Sequence, residues 1–295
     1  MTAGTEERAL AQGTRASLIG LVVNCLLVAG KLTAGIVGHS YALVADAIES
    51  SLDIFGSFVV WRGLRIAARP ADEGHPYGHG RAEAVAGMIV ALMLLVAGVG
   101  VAVGAITRLT EPQPVPAPFT LVVLIAVVLI KELMFRFVQG VATRTGSEAV
   151  RADAWHHRGD AITSAAAAVG ITIALIGGPP YAHADEWAAL VAAGTILFNA
   201  YRLSRQPLGD LMDAHPVEVT EAARAVAANV PGVAAVERVR ARKSGLRYLI
   251  DMHVEVDPHL TVRDAHQIAD AVRDAICAQM PRVQDVLVHI EPHGA

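Results

Sequence analysis

Residues 42–61 read ALVADAIESSLDIFGSFVVW, and residues 149–175 read AVRADAWHHRGDAITSAAAAVGITIAL. A helix needs about 20 mostly apolar residues to traverse some 30 Å of hydrocarbon, and both stretches are long enough to do so. Both nevertheless carry charge well inside. Asp46, Glu49 and Asp53 are spaced i, i+3, i+7 in the first, and Asp153, His156 and Asp160 repeat that spacing in the second. A helical period of about 3.6 residues puts each triplet on one face. A charged side chain at mid-bilayer costs about 3 kcal/mol or more unless it is paired, hydrated or bound to an ion. Six such groups on two helices are hard to retain without a cation between them.

The rest of the chain supports a membrane setting. Of 295 residues, 54% are hydrophobic and only 18% charged, too apolar for an ordinary soluble domain. Six spans are expected, at about 16–37, 41–66, 84–107, 119–140, 149–176 and 185–203. Together they form a transmembrane domain over residues 1–208, with a soluble domain over 209–295. The stretch from Met1 to Gly13 lacks a small-residue cleavage site, so the first apolar run is expected to remain as a span. Arg8, Arg15, Arg62, Arg65, Arg69, Arg81, Arg144, Arg151, Arg202 and Arg205 fall on alternate connections, which places both termini in the cytoplasm. A net charge of -4 gives no reason to expect nucleic acid as a partner. Cys25 and Cys277 form no CxxC pair, so neither a disulfide framework nor a thiolate zinc site is indicated.

The tail reads helix, strand, strand, helix, strand. Residues 217–229 form the first helix, and 233–240 and 247–256 the first two strands, the second alternating in part. Thr261 and Asp264 make a capping box for a helix whose apolar face is Ala265, Ile268, Ala269, Val272 and Ile276. Residues 285–290 close as a strand. The fold class is thus an α-helical membrane protein with six transmembrane helices plus a C-terminal cytoplasmic α+β domain.

The couples Glu49/Asp53 and His156/Asp160 offer three oxygens and one nitrogen from two facing helices. Four such donors suit a tetrahedral zinc-sized ion. Manganese and iron(II) also accept carboxylate and imidazole. The competing reading is a polar helix contact balanced by Lys31, Lys131 or Arg158. Asp46 and Asp153 either ligate or orient the ligands from behind. His157 points about 100° away from His156 and is left out. Asp72, His75 and His79 in the loop DEGHPYGHGR form a second candidate metal cluster, the alternative being incidental loop histidines. The tail holds a third set: His253 and Glu255 on one strand, His266 and Asp270 on the helix, His289 and Glu291 on the last strand.

ADAIESSLD, RPADEGHPYGHGRAE and WHHRGDAITS resemble the motifs of the cation diffusion facilitator family, and the resemblance extends over nearly the whole chain. It implies a homodimeric exporter in the bacterial inner membrane, with a ferredoxin- or metallochaperone-like tail, exchanging Zn²⁺, Fe²⁺, Mn²⁺, Co²⁺ or Cd²⁺ for protons. The metal is then substrate and regulatory ligand, and no prosthetic group is implied. The family's transport site falls on Glu49, Asp53, His156 and Asp160, and its loop site on Asp72, His75 and His79. Its tail sites fall on His253, His266, His289 and Glu291, and its charge interlock on Arg81 and Asp213, within or between subunits. Two positions depart from the pattern: Glu49 stands where Asp or His is usual, and Glu237 where histidine is frequent.

The mechanism so implied is alternating access, with metal and proton competing for the same lone pairs. His156 is the natural proton carrier, because imidazole is the side chain that changes charge near neutral pH. Two other classes compete. A membrane metalloenzyme is disfavoured because no HExxH occurs, so no enzyme is expected. A metal sensor signalling through the tail without transport would need only the soluble sites.

Overall fold

The structure, a computed structural model, describes residues 3–145 and 148–294, with side chains given for all of these except 3–17, 145, 148, 149 and 152. Arg8 and Arg15, which bear on orientation, therefore lie outside the described side chains. Six long helices come first: α1 (Ala3–Val37), α2 (Tyr41–Ala67), α3 (Ala82–Leu109), α4 (Pro118–Thr145), α5 (Glu148–Gly177) and α6 (Ala184–Leu211). The shortest has 27 residues. At 1.5 Å per residue that is about 40 Å, more than a hydrocarbon core requires. Among the described residues, Leu18–Val37, Ala82–Leu109 and Asp153–Gly177 are long and apolar enough to cross a membrane by length and composition alone. The other three helices reach the length but carry charges inside.

The chain divides into two compact units. One comprises Met1–Phe58 and Val90–Arg202, the other Val59–Ile89 and Leu203–Ala295. In the first, the packed interior is built of small and branched residues: Ala34, Leu43, Ala45, Val101, Ala105, Leu124, Ala167, Ile171, Ala189 and Ala193. Apolar side chains also point outward, as in the stripe Val96, Val99, Val103 and Ile106 along α3. An apolar outer face suits lipid as solvent, where helices associate by close backbone approach rather than by hiding apolar surface. Gly170 shows the limit: a Cβ there would come within 2.3 Å of the Ala188 Cβ. Any side chain at 170 would push α5 and α6 apart.

The second unit holds the tail: α7 (Val217–Ala228), β1 (Ala235–Ser244), β2 (Arg247–Val256), α8 (Val262–Gln279) and β3 (Val283–Pro292). The sheet order is β1-β2-β3, with β1 antiparallel and β3 parallel to β2. A parallel neighbour needs a crossover, and α8 supplies it. Val239, Ala241, Ile250, Met252 and Val254 alternate onto one face, where Ala223 and Ala227 of α7 and Val272 and Ile276 of α8 cover them. Thr261 caps α8, its hydroxyl accepting from the Asp264 amide at 3.2 Å and donating to the Asp264 carboxylate at 2.7 Å. β1 runs four residues past the expected strand, through Arg242 and Lys243. Charged residues suit it because β1 is an edge strand, where lysine and arginine discourage pairing with another chain.

Candidate metal centre

Within the first unit, α2 and α5 bring together Asp53, His156 and Asp160, whose ligand atoms lie within 4.8 Å of one another. His156 Nε2 stands 3.8 Å from Asp53 Oδ2 and 3.7 Å from Asp160 Oδ2. Donors held tetrahedrally at about 2.1 Å from one ion stand roughly 3.4 Å apart, so small side-chain adjustments close the set. Glu49, one turn before Asp53, stands outside this group. Its Oε2 is buried and has no hydrogen-bond partner among the described residues. A buried carboxylate oxygen without a donor is costly, and a cation nearby would satisfy it.

The acids behind the group are already engaged. Asp46 is 3% exposed and faces Lys31, which is fully buried. Lys31 Nζ donates to Asp46 Oδ2 at 2.8 Å and to Ser50 Oγ at 2.8 Å. Ser164 Oγ of α5 lies 2.9 Å from the same Oδ2 and 3.0 Å from Oδ1. Asp46 therefore ties α1, α2 and α5 together and is not free to replace Glu49. Asp153 is half-buried and outside the group. Asp160 has a cation of its own: Lys131 of α4 donates to its Oδ2 at 2.5 Å and to Asn24 Oδ1 of α1 at 2.6 Å. Arg158 turns elsewhere, over the rings of Phe135 and Trp155. The polar contact weighed from the sequence thus exists beside the metal-ligand geometry, with Lys31 and Lys131 as its cations.

One positioning residue gave little warning in the sequence. Asp185, at the start of α6, caps α2 from 144 residues away: its Oδ2 accepts from the Tyr41 amide at 2.5 Å and the Ala42 amide at 3.2 Å. Its Oδ1 accepts from Ser40 Oγ at 2.7 Å. A carboxylate there satisfies the free amides of a helix start and its partial positive charge. This fixes the register of the helix that carries Glu49 and Asp53.

In the second unit, Asp72, His75 and His79 form another group within 4.8 Å. Asp72 Oδ1 accepts from the His75 amide at 2.7 Å and lies 3.1 Å from His75 Nδ1. His79 Nε2 is 3.4 Å from Asp72 Oδ2, and the two imidazole centroids are 4.2 Å apart. The hydrogen bond from His75 holds the Asp72 carboxyl below the usual aspartate range. Gly78, with φ of +81°, turns the chain between Tyr77 and His79. Arg81 Nη2 donates to Asp213 Oδ1 at 2.6 Å within the same chain. Lys243 Nζ reaches Asp210 Oδ2 at 2.8 Å.

On the open face of the tail sheet, His253, His289 and Glu291 make the third group. The parallel register sets His253 beside His289 and Glu255 beside Glu291. His253 Nδ1 lies 2.6 Å from Glu291 Oε1, and His289 Nε2 3.5 Å from the same oxygen. Glu237 approaches His253 Nδ1 at 3.8 Å. The His253 hydrogen bond keeps the Glu291 carboxyl below the usual glutamate range. His266 is apart from these, on α8 and paired with Asp270 at 3.6 Å. His293, unremarked in the sequence, lies 2.6 Å from Glu255 Oε2 and extends the ladder. Its signal was the two-residue spacing His289, Glu291, His293.

Two family models match the chain: the cation efflux transmembrane domain over residues 17–212 and the cation efflux protein cytoplasmic domain over residues 216–293. The manganese efflux system protein MneP of Bacillus subtilis (strain 168) is 33% identical over 288 residues, 95% of this chain and 96% of that protein. The cation-efflux pump FieF of Pectobacterium carotovorum subsp. carotovorum (strain PC1) is 31% identical, over 87% of this chain and 85% of that one. A solved MamM-CTD structure is 37% identical and covers 27% of this chain and 100% of its own, with a TM-score of 0.26. With a transmembrane model spanning its six long helices and a relative matched nearly end to end, the chain belongs to the cation diffusion facilitator family, the integral membrane proteins of divalent metal cation efflux.

Proposed function

We propose that this protein exports a divalent transition-metal ion from the bacterial cytoplasm across the inner membrane in exchange for protons. The ion binds between Glu49, Asp53, His156 and Asp160, and a homodimer is the working unit, with both termini cytoplasmic. The observation that carries the reading is the approach of His156 Nε2 to Asp53 Oδ2 and Asp160 Oδ2 across two helices, at 3.8 and 3.7 Å. A donor set of three carboxylates and one imidazole takes zinc in four-fold coordination, and takes manganese or iron(II) if Glu49 closes on the ion through both oxygens. The name of MneP, a manganese efflux protein, supports the second option. Metal and protons compete for the same lone pairs, so an inward proton gradient favours release on the far side.

Asp72, His75 and His79 hold a second ion at the loop, and His253, His289 and Glu291 a third on the open face of the tail sheet, while His266 with Asp270 on α8 is a separate exposed tail position. Metal in the tail then biases the transport equilibrium by drawing two subunits together, as any ligand with unequal affinity for two states must. The test uses proteoliposomes enclosing a metal-sensitive dye, with an imposed pH gradient and a panel of Zn²⁺, Mn²⁺, Fe²⁺, Co²⁺ and Cd²⁺. The expected result is gradient-dependent uptake that falls to background in Asp53→Ala and Asp160→Ala. Unchanged uptake in those variants would sink the transport-site assignment.

A further inference from the structure

Lys131 sits where a lysine needs a reason. Its side chain is 1% exposed, and burying an ammonium in a membrane helix is expensive unless it is paired. Lys31, the other buried lysine, is spent on Asp46 and Ser50 beside the site. Lys131 instead donates to Asp160 Oδ2, the same oxygen that stands 3.7 Å from His156 Nε2. Its second partner, Asn24 Oδ1 at 2.6 Å, is neutral and belongs to a different helix. The ammonium is therefore strung between a spectator amide on α1 and the oxygen that a metal on His156 and Asp53 would use.

We propose that Lys131 is a tethered counter-cation that competes with the transported ion for Asp160 and thereby sets how readily the ion leaves. The inference rests on the transport-site reading above. Charge makes the arrangement coherent. Asp46 and Lys31 cancel, which leaves Glu49, Asp53 and Asp160 against one ammonium. A divalent ion then brings the cluster to neutrality, so the loaded site carries no net charge through the low-dielectric interior. Without Lys131 the same four ligands would hold the ion with one negative charge to spare. A transport site must bind well enough to fill and weakly enough to empty. When the ion departs, Lys131 reclaims the vacated Oδ2, with Asn24 keeping the ammonium within reach. Lys131 acts here as a fixed charge, and it positions Asp160 rather than ligating the ion.

The experiment is steady-state uptake by the full chain in proteoliposomes, with KM and kcat measured separately. Lys131→Met keeps the length and removes the charge. Its KM for metal should fall about tenfold, a usual size for coupling between competing ligands, and its kcat should fall with it. Asn24→Ala removes the neutral anchor, leaves the ammonium to Asp160 alone and should raise KM. A role confined to packing would move both variants in the same direction. Lys131→Arg retains the charge and should restore KM most of the way. A KM for Lys131→Met equal to or above that of the unmodified protein overturns the proposal, and so does a KM for Asn24→Ala that falls or stays put. Asp160→Ala is run alongside. If it transports normally, the transport-site reading itself has failed. If it is silent while Lys131→Met keeps its KM, only the counter-cation proposal has failed.

Discussion

Asp46 shows how far single residues can be read from spacing. The i, i+3, i+7 pattern places Asp46, Glu49 and Asp53 on one face, which was legible. Which acid meets which lysine was not, because Lys31, Lys131 and Arg158 are equally available on a linear map. The structure pairs Lys31 with Asp46 and Lys131 with Asp160, and lays Arg158 on Phe135 and Trp155. A buried pair of this kind is strongly asymmetric in its energetics. Removing one partner strands the other charge and costs about 3–5 kcal/mol, whereas replacing both by apolar groups of like volume is often near neutral. Asp46→Ala should therefore destabilise the protein by about that amount, and Asp46→Leu with Lys31→Met by much less. Unfolding in mixed detergent micelles measures both, and equal losses would contradict the pairing. Glu49 is the residue at which metal preference is expected to be decided, since its extra methylene allows contact through both oxygens.

At the scale of elements, the long helices were readable because lipid selects long apolar runs, and β2 because alternation marks a half-buried strand. β1 was read short because Arg242 and Lys243 resemble a loop, when an edge strand tolerates them. The cap on α2 was out of reach, since nothing local links Asp185 to Tyr41. Asp185→Ala should cost about 1–2 kcal/mol as a lost helix cap, and it should weaken metal binding through α2 without touching a ligand. A metal titration of that variant in detergent checks it, and unaltered affinity would show that the cap does not position the site. The β2/β3 register makes a second prediction, for the tail. Glu291 is held ionised by His253, so its contribution to folding is present above the ordinary carboxylate range. That contribution is lost only as pH falls through the lowered value. In His253→Ala, the Glu291 carboxyl should titrate back up toward the range of an ordinary glutamate by NMR of glutamate-labelled protein. An unmoved titration would mean that His253 is not the cause.

Over the whole molecule, the three candidate metal groups divide between the two units. The intramembrane group lies in the unit of Met1–Phe58 and Val90–Arg202, while the loop group and the tail group both lie in the other. The loop and the tail share a unit because residues far apart in sequence fasten them. Arg81 meets Asp213, Lys243 stands 3.9 Å from Glu83 just after the loop, and a Cβ on Gly80 would come within 2.5 Å of Ser244 Oγ. Composition and hydropathy set the expected ends of the spans and the expected start of the tail. They carry no information about which helix ends pack with that tail, because such contacts depend on charge pairs separated by more than a hundred residues. The central claim is that α2 and α5 hold one ion between them, apart from the loop and the tail. Its most direct measurement is metal binding by the full chain in detergent, with Asp72, His75, His253, His266 and His289 all replaced by alanine. The expected result is one divalent ion per subunit, lost when Asp160→Ala is added; a protein that binds none, or that still binds one after Asp160→Ala, would contradict it.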